Sequence, residues 1–233
     1  MRRKDSAGRR KREGRENIMS IQNMKEREIS FPEAIEQRLS GKAVVEITEN
    51  HRSGDLVYRV GDDYILKVSD NIERLVRERT VNDFLTGRLA VSETVLFVVE
   101  GERAFYLKTM LKGDTLAEKK YLCGPEELIR LLAQAMQMIH SVDISDCPIK
   151  SPDSEGHCFV HGDFCLPNIL AKDGKFSGFI DTEAGGIGDP WMDYAWCIWS
   201  LEHNLGTDQY TGMLLDALGI EFDKEKFGRY TNI

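Results

Sequence analysis

The sequence predicts an α+β fold in two lobes, a small antiparallel-sheet lobe followed by a mainly helical one. Three observations carry that expectation. Between Gly41 and Leu107, five stretches rich in Val, Ile, Tyr and Phe recur, "AVVEIT", "DLVYRV", "YILKVS", "TVLFVVE" and "RAFYLKTM", which is the composition of strands. Near residue 112 the pattern changes, and beyond it apolar residues recur at helical spacing. The length, 233 residues, suits one large domain or two lobes.

Taken in order, the first 19 residues, "MRRKDSAGRRKREGRENIM", carry eight Lys or Arg against three Asp or Glu. With almost nothing apolar, they predict a disordered basic arm. The arm lacks the apolar core of a secretory signal. No aromatic residue interleaves its charges, which favours a solvated extension ahead of Met19 or Met24 over a nucleic-acid-binding tail. Taking its +5 from the chain's −8 leaves −13 on residues 20–233. Such an acidic body suits cationic partners and not nucleic acid.

Within the strand region, "LVYRVGDDYILKV" predicts a hairpin turning at Gly61, Asp62 and Asp63. One helix interrupts the strands. In "NIERLVRERTVNDFLTGRL" Ile72, Leu75, Val76, Val81, Phe84 and Leu85 recur at roughly helical spacing, and Gly87 supplies a stop. Past residue 112, "GPEELIRLLAQAMQMIHSVD" enters a helix through Gly124 and Pro125. It sets Leu128, Leu131, Leu132, Ala135, Met136 and Ile139 on one face. A polar linker, "IKSPDSEGH", leads to "FVHGDFCLPNIL", then to a hairpin through "AKDGKFSGFID". Two apolar segments follow, around Trp191–Leu201 and Met213–Leu218.

No stretch approaches the roughly 20 apolar residues of a spanning helix, so no membrane partner is expected. The five cysteines, Cys123, Cys147, Cys158, Cys165 and Cys197, are odd in number and irregular in spacing, as for reduced thiols in a cytoplasmic protein. A zinc site of Cys158, His161 and Cys165 lacks a fourth ligand and any paired C-x-x-C, and buried free thiols are expected instead.

The chemistry concentrates in residues 159–170. A phosphoryl-transfer site needs hard oxygen ligands for Mg²⁺, a group to orient or deprotonate the attacking hydroxyl, and a lysine for the nucleotide phosphates. Asp163 supplies the base, and Asn168, five residues on, supplies an amide oxygen for the metal. Asp181 ends the apolar strand of "FSGFIDTE" as a second metal ligand. Lys67 sits inside "YILKV", an unusual place for a lysine, and Glu78 on the following helix can pair with it. Ser53 and Gly54 stand at a loop tip in "ENHRSGDLVY", where backbone N–H groups can cover phosphates. Singly, each of these has a bland reading as a cap, a turn or a snorkelling lysine. Together, in this order and layout, they predict a kinase-like site.

The run "FVHGDFCLPNILAKDGKFSGFIDTEAGGIGDPWMDYAWCI", with "HSVDISDCP" and "LLDALGIEFDKEKFGRY", resembles the aminoglycoside phosphotransferase family, most of all its 3′-phosphotransferases. The resemblance reaches back more faintly to Ile29. It implies a protein-kinase-like fold, a cytoplasmic enzyme, and ATP (or GTP) with Mg²⁺. Residues 20–112 would then be the nucleotide-binding lobe and 113–233 the catalytic lobe. It makes Asp163 the catalytic aspartate, Asn168 and Asp181 the metal ligands, and Lys67 with Glu78 the phosphate-orienting pair. Thr109, Met110 and Leu111 become the adenine-binding hinge, while Asp189 and Asp193 brace the catalytic loop. Two departures concern the acceptor. Only "IKSPDSEGHC" stands where relatives place a two-helix acidic segment, and the sequence ends at "YTNI", ahead of an acidic and aromatic tail. Ala184 and Ile187 also replace basic residues. The expected substrate is a small molecule, a cationic aminoglycoside. A smaller hydroxyl metabolite (choline, a sugar or an amino alcohol) and a non-catalytic nucleotide-binding remnant stay open, as does the oligomeric state.

Overall fold

The computed structural model describes residues 18–19, 30–47, 55–149 and 156–231. The basic arm up to residue 17, and Ser53 and Gly54, lie outside them.

The first layer is a six-stranded antiparallel sheet built from β1 (Ile18–Met19), β2 (Val44–Glu46), β3 (Leu56–Val60), β4 (Tyr64–Ser69), β5 (Thr94–Glu100) and β6 (Arg103–Thr109). Its order is β1-β2-β3-β4-β6-β5. The Gly61–Asp63 turn joins β3 to β4 with Val60 opposite Tyr64. α1 (Glu33–Leu39) covers one face, and Ile35 and Leu39 pack with Val44, Tyr58, Leu66, Phe105 and Leu107 in the sheet's own core. Val99, on edge strand β5, stays 49 % exposed, as the outward face of a half-solvated sheet does.

α2 (Ile72–Leu85) belongs to both halves of the molecule. Leu75 packs on Ala104 and Tyr106 of β6, whereas Val81, Phe84 and Leu85 enter the larger core beyond the sheet. Phe84 stacks on Phe159 with ring centroids 5.4 Å apart. The helix starts where Asn71 Oδ1 accepts the Arg74 N–H, a side-chain cap.

After β7 (Asp114–Thr115) and α3 (Lys119–Leu122) comes α4 (Pro125–His140), entered at Gly124. Every residue of its expected face, Leu128 to Ile139, is buried in the large core. β8 (Cys158–Val160) pairs with β11 (Gly186–Gly188). β9 (Ile169–Lys172) lies between β7 and β10 (Lys175–Phe179). α5 (Trp191–Leu205), α6 (Thr211–Leu218) and α7 (Lys224–Thr231) complete the helical half. These small sheets bring the loop of residues 161–168 and the strand exit at Asp181 to the same end, where Phe179 pairs with Ile169. No helix among the described residues is long and apolar enough to cross a membrane.

Candidate active site

Strand alternation sends Lys67 of β4 toward α2, where Glu78 is buried to 1 %. The Lys67 ammonium donates to Glu78 Oε1 and Oε2 at 3.0 and 2.9 Å and to Asp181 Oδ1 at 2.6 Å. Asp181 follows β10 in a left-handed conformation (φ 54°), uncommon for a residue with a Cβ. Its side chain remains 44 % exposed and so open to a ligand. A second buried lysine, Lys108 of β6, also donates to Glu78 Oε1.

The electrostatics follow from this packing. Burial alone would lower the Lys67 ammonium, but Glu78, Asp181 and Glu183 outweigh it and raise it above the ordinary lysine value. Burial would raise Glu78, and Lys108 and Lys67 instead hold it below the usual carboxylate range. At Asp181 burial is opposed by Lys67 and Lys108, and the carboxyl falls to about 2. At Glu183 the opposing pull of Lys67 is too small, so burial, reinforced by Glu78 and Asp181, pushes it up.

The loop of Asp163 is braced from α5. Asp193, fully buried, accepts the His161 N–H at Oδ2 and the Gly162 N–H at Oδ1, both at 2.8 Å. His140 Nε2 approaches the same carboxylate at 3.1 Å. His161 donates from Nε2 to Ile180 O (3.0 Å), and its Nδ1 accepts the Asp163 N–H (3.3 Å). With both ring nitrogens occupied, His161 is structural and not a zinc ligand. Gly162 has φ 80°, and a Cβ there would meet Ala184 O at 2.5 Å, so only glycine fits between His161 and Asp163. Asn168 Nδ2 donates to Asp163 Oδ2 (2.8 Å) and to Asp163 O (3.0 Å). That fixes the amide with its oxygen as the free acceptor.

The structure therefore brings Lys67, Glu78 and Asp181 into one bonded cluster and Asp163 and Asn168 into another. They are linked because Ile180, beside Asp181, donates its N–H to Asn168 O at 3.0 Å. In the segment expected to form the hinge, two backbone donors are already engaged. Thr109 N–H goes to Glu93 O (2.9 Å) and Met110 N–H to Asp63 O (2.7 Å), so a base edge there can use neither donor. Asp189 caps the start of α5 through the Trp191 N–H and meets Lys226 at 3.2 Å. The cavity lined by Asp70, Gly101, Arg103 and Phe105 lies at the opposite end of β6 from Thr109.

Sequence reasoning missed four contributors. Lys108 carries the same signal that singled out Lys67, a lysine inside an apolar strand. Arg77, next to Glu78, donates to Glu183 O (2.7 Å) and Gly185 O (2.9 Å), clamping the segment after Asp181 to α2. Asn82 accepts from Thr182 (2.9 Å) and donates to Tyr106 (3.0 Å), a buried polar chain no sequence pattern announces. Glu183 places carboxylate oxygen within 4.8 Å of those of Glu78 and Asp181, and its Oε2 is buried without a hydrogen-bond partner. Asp181, the Asn168 amide oxygen and this orphaned oxygen are all hard donors, a set that fits Mg²⁺.

A sheet lobe with a Lys–Glu pair, a carboxylate at a strand exit, and an aspartate–asparagine loop on a helical lobe together define a protein-kinase-like phosphotransferase with an alcohol group as acceptor. Residues 150–228 match the model of the "Phosphotransferase enzyme family". The "Probable aminoglycoside 3'-phosphotransferase" of Lactococcus lactis is 27% identical over 252 aligned positions, covering 88% of this chain and 96% of that protein. The aminoglycoside 3'-phosphotransferase of Enterococcus faecalis is 30% identical over 199 positions, 66% of this chain and 75% of its own length. Among solved structures, aminoglycoside phosphotransferase APH(3'')-Id from Streptomyces rimosus, in complex with ADP and streptomycin, superposes with a TM-score of 0.68 at 18% identity. That match covers 80% of this chain and 90% of the other. On the Enterococcus identity and coverage, the chain belongs to the aminoglycoside phosphotransferase family.

Proposed function

We propose that this chain transfers the γ-phosphate of ATP to a hydroxyl of a cationic aminoglycoside, with residues 20–112 forming the nucleotide-binding lobe and 113–233 the catalytic lobe. The observation that carries the reading is the Lys67 ammonium bonded at once to Glu78 and Asp181 in a chain of this family. Lys67 faces the α- and β-phosphates, and Glu78 holds it there. Asp181 and Asn168 would hold Mg²⁺, with Glu183 beside them, and the ion would supply charge neutralisation at the phosphate oxygens.

Asp163 accepts the hydroxyl proton as the acceptor oxygen bonds to the γ-phosphorus and the bond to the β-phosphate bridging oxygen breaks, releasing ADP. Catalysis is positioning and charge stabilisation, with no covalent enzyme intermediate. The −13 balance of residues 20–233 supports a cationic acceptor. Transfer of labelled phosphate from ATP or GTP to a panel of aminoglycosides, choline, sugars and amino alcohols tests the reading. Transfer to an uncharged sugar alone would overturn the acceptor class, and no transfer to any acceptor would overturn the enzymatic reading of these residues.

A further inference from the structure

Lys108 is a buried cation that the reaction above does not use. Its side chain is 4 % exposed, it stands on β6 one residue before Thr109, and its ammonium donates to Glu78 Oε1 beside that of Lys67. Glu78 thus has two lysines, and Lys67 has two carboxylates. In the described cluster the two ammonium groups bond Glu78 and Asp181, with the Glu183 carboxylate within 4.8 Å of both.

That arrangement changes when nucleotide arrives, if the site works as proposed. Lys67 must share its donors with phosphate oxygens, and Asp181 turns to the metal. Glu78, 1 % exposed, would then lose one of its two partners, and without Lys108 its charge would stand unpaired inside the protein, which is strongly disfavoured. We propose that Lys108 is a positioning residue that keeps Glu78 neutralised, and α2 in place, while Lys67 turns to the nucleotide phosphates. The two lysines divide one task. Lys67 serves the ligand and Lys108 serves the glutamate. Without Lys108 the glutamate competes with the phosphates for Lys67, and nucleotide binding weakens although Lys108 itself need not touch the ligand.

This inference rests on the nucleotide site proposed above, and the experiment separates the two. Calorimetric titration of the full chain with Mg-ADP comes first, and absence of binding to the wild type would overturn the nucleotide reading itself. Given wild-type binding, Lys108→Met is expected to weaken it by about tenfold or more, because a buried carboxylate now holds Lys67. Adding Glu78→Gln to Lys108→Met should recover part of that loss, since the competing charge is gone. Loss of mere packing would give no such recovery. Wild-type affinity in Lys108→Met, or a double variant weaker than the single, overturns the proposal. Should Lys108→Met fail to fold, Glu78→Gln is compared with the double variant. With the charge absent, removing Lys108 should change affinity by less than about twofold, and a loss of about tenfold in that background overturns the proposal as well.

Discussion

Asn168 reaches Asp163 at both its side chain and its carbonyl, so the proposed base is held by the same residue that is proposed as a metal ligand. Asp163→Ala is expected to lower turnover by about 10²-fold to 10⁴-fold with Mg-ADP affinity nearly unchanged, because an orienting base acts in the transition state. Full turnover in that variant would remove Asp163 from the mechanism. Glu183 presents the opposite trade. Burial beside Glu78 raises its pKa, so its charged form costs the free protein stability, and Glu183→Gln, which removes that charge, should raise the melting temperature without metal while increasing the Mg²⁺ concentration needed for half-maximal turnover. A melting temperature that falls would show that the Glu183 charge stabilises the metal-free protein. The thiols give a third check. Burial pushes Cys165 and Cys197 well above the ordinary thiol value and Cys158 to about 12, so all three stay protonated at pH 8. Alkylation at that pH should mark exposed Cys123 first and reach Cys165 and Cys197 only on unfolding.

Between elements, the contacts that align the site run across three of them. β4 holds Asp181 through Lys67, α2 holds the turn that follows it through Arg77 and Asn82, and α5 holds the Asp163 loop through Asp193. Asp193→Ala strands the buried His161 and Gly162 N–H groups. At about 1 to 3 kcal/mol per buried unsatisfied donor, a loss of about 2 to 6 kcal/mol is expected in denaturant melts. A change under 1 kcal/mol on that scale would mean the loop does not depend on α5. How legible these elements are in the sequence varies with what encodes them. β3 to β6, α2 and α4 declare themselves through alternation or helical period, and Gly61–Asp63 marks its own hairpin. Two-residue and three-residue strands such as β7, β8 and β11 are too short for any period, and only tertiary pairing defines them. The same division holds at the site. Lys67, Glu78, Asp163, Asn168 and Asp181 stand in recognisable local contexts, whereas the Asn82–Thr182 and Arg77–Gly185 bonds join residues about 100 positions apart. The pairing register that turns Lys108 and Lys67 toward one glutamate is likewise invisible in either strand alone.

Across the whole molecule, the nucleotide side and the acceptor side are unequally built. The alignment with the Lactococcus relative has 252 positions but takes up 88% of 233 residues, about 205, so about 47 aligned positions have no residue here. One internal place is already short of chain. Ile149 O accepts the Ile187 N–H at 3.0 Å, and β8 begins at Cys158. Residues 150–157 between them are fewer than one average helix of about 11 residues, and cannot supply the acidic helical pair the resemblance leads one to expect. Aminoglycosides bind by spreading ammonium groups over carboxylates, each charge-assisted contact contributing about 1.5 to 3 kcal/mol. Losing two such contacts weakens binding by about 10²-fold to 10⁴-fold. The nucleotide cluster is untouched by this shortening, because Lys67, Glu78, Lys108 and Asp181 come from β4, α2, β6 and the end of β10. The expected outcome is an enzyme that binds Mg-ATP well and phosphorylates kanamycin-like compounds with a KM far above that of an efficient resistance enzyme. Calorimetry with kanamycin, beside a susceptibility test on bacteria expressing the chain, decides it. Tight kanamycin binding with strong resistance would refute the expectation and require carboxylates such as Glu202, which already accepts the Thr211 hydroxyl at 2.7 Å, to exchange that partner for an ammonium group of the antibiotic.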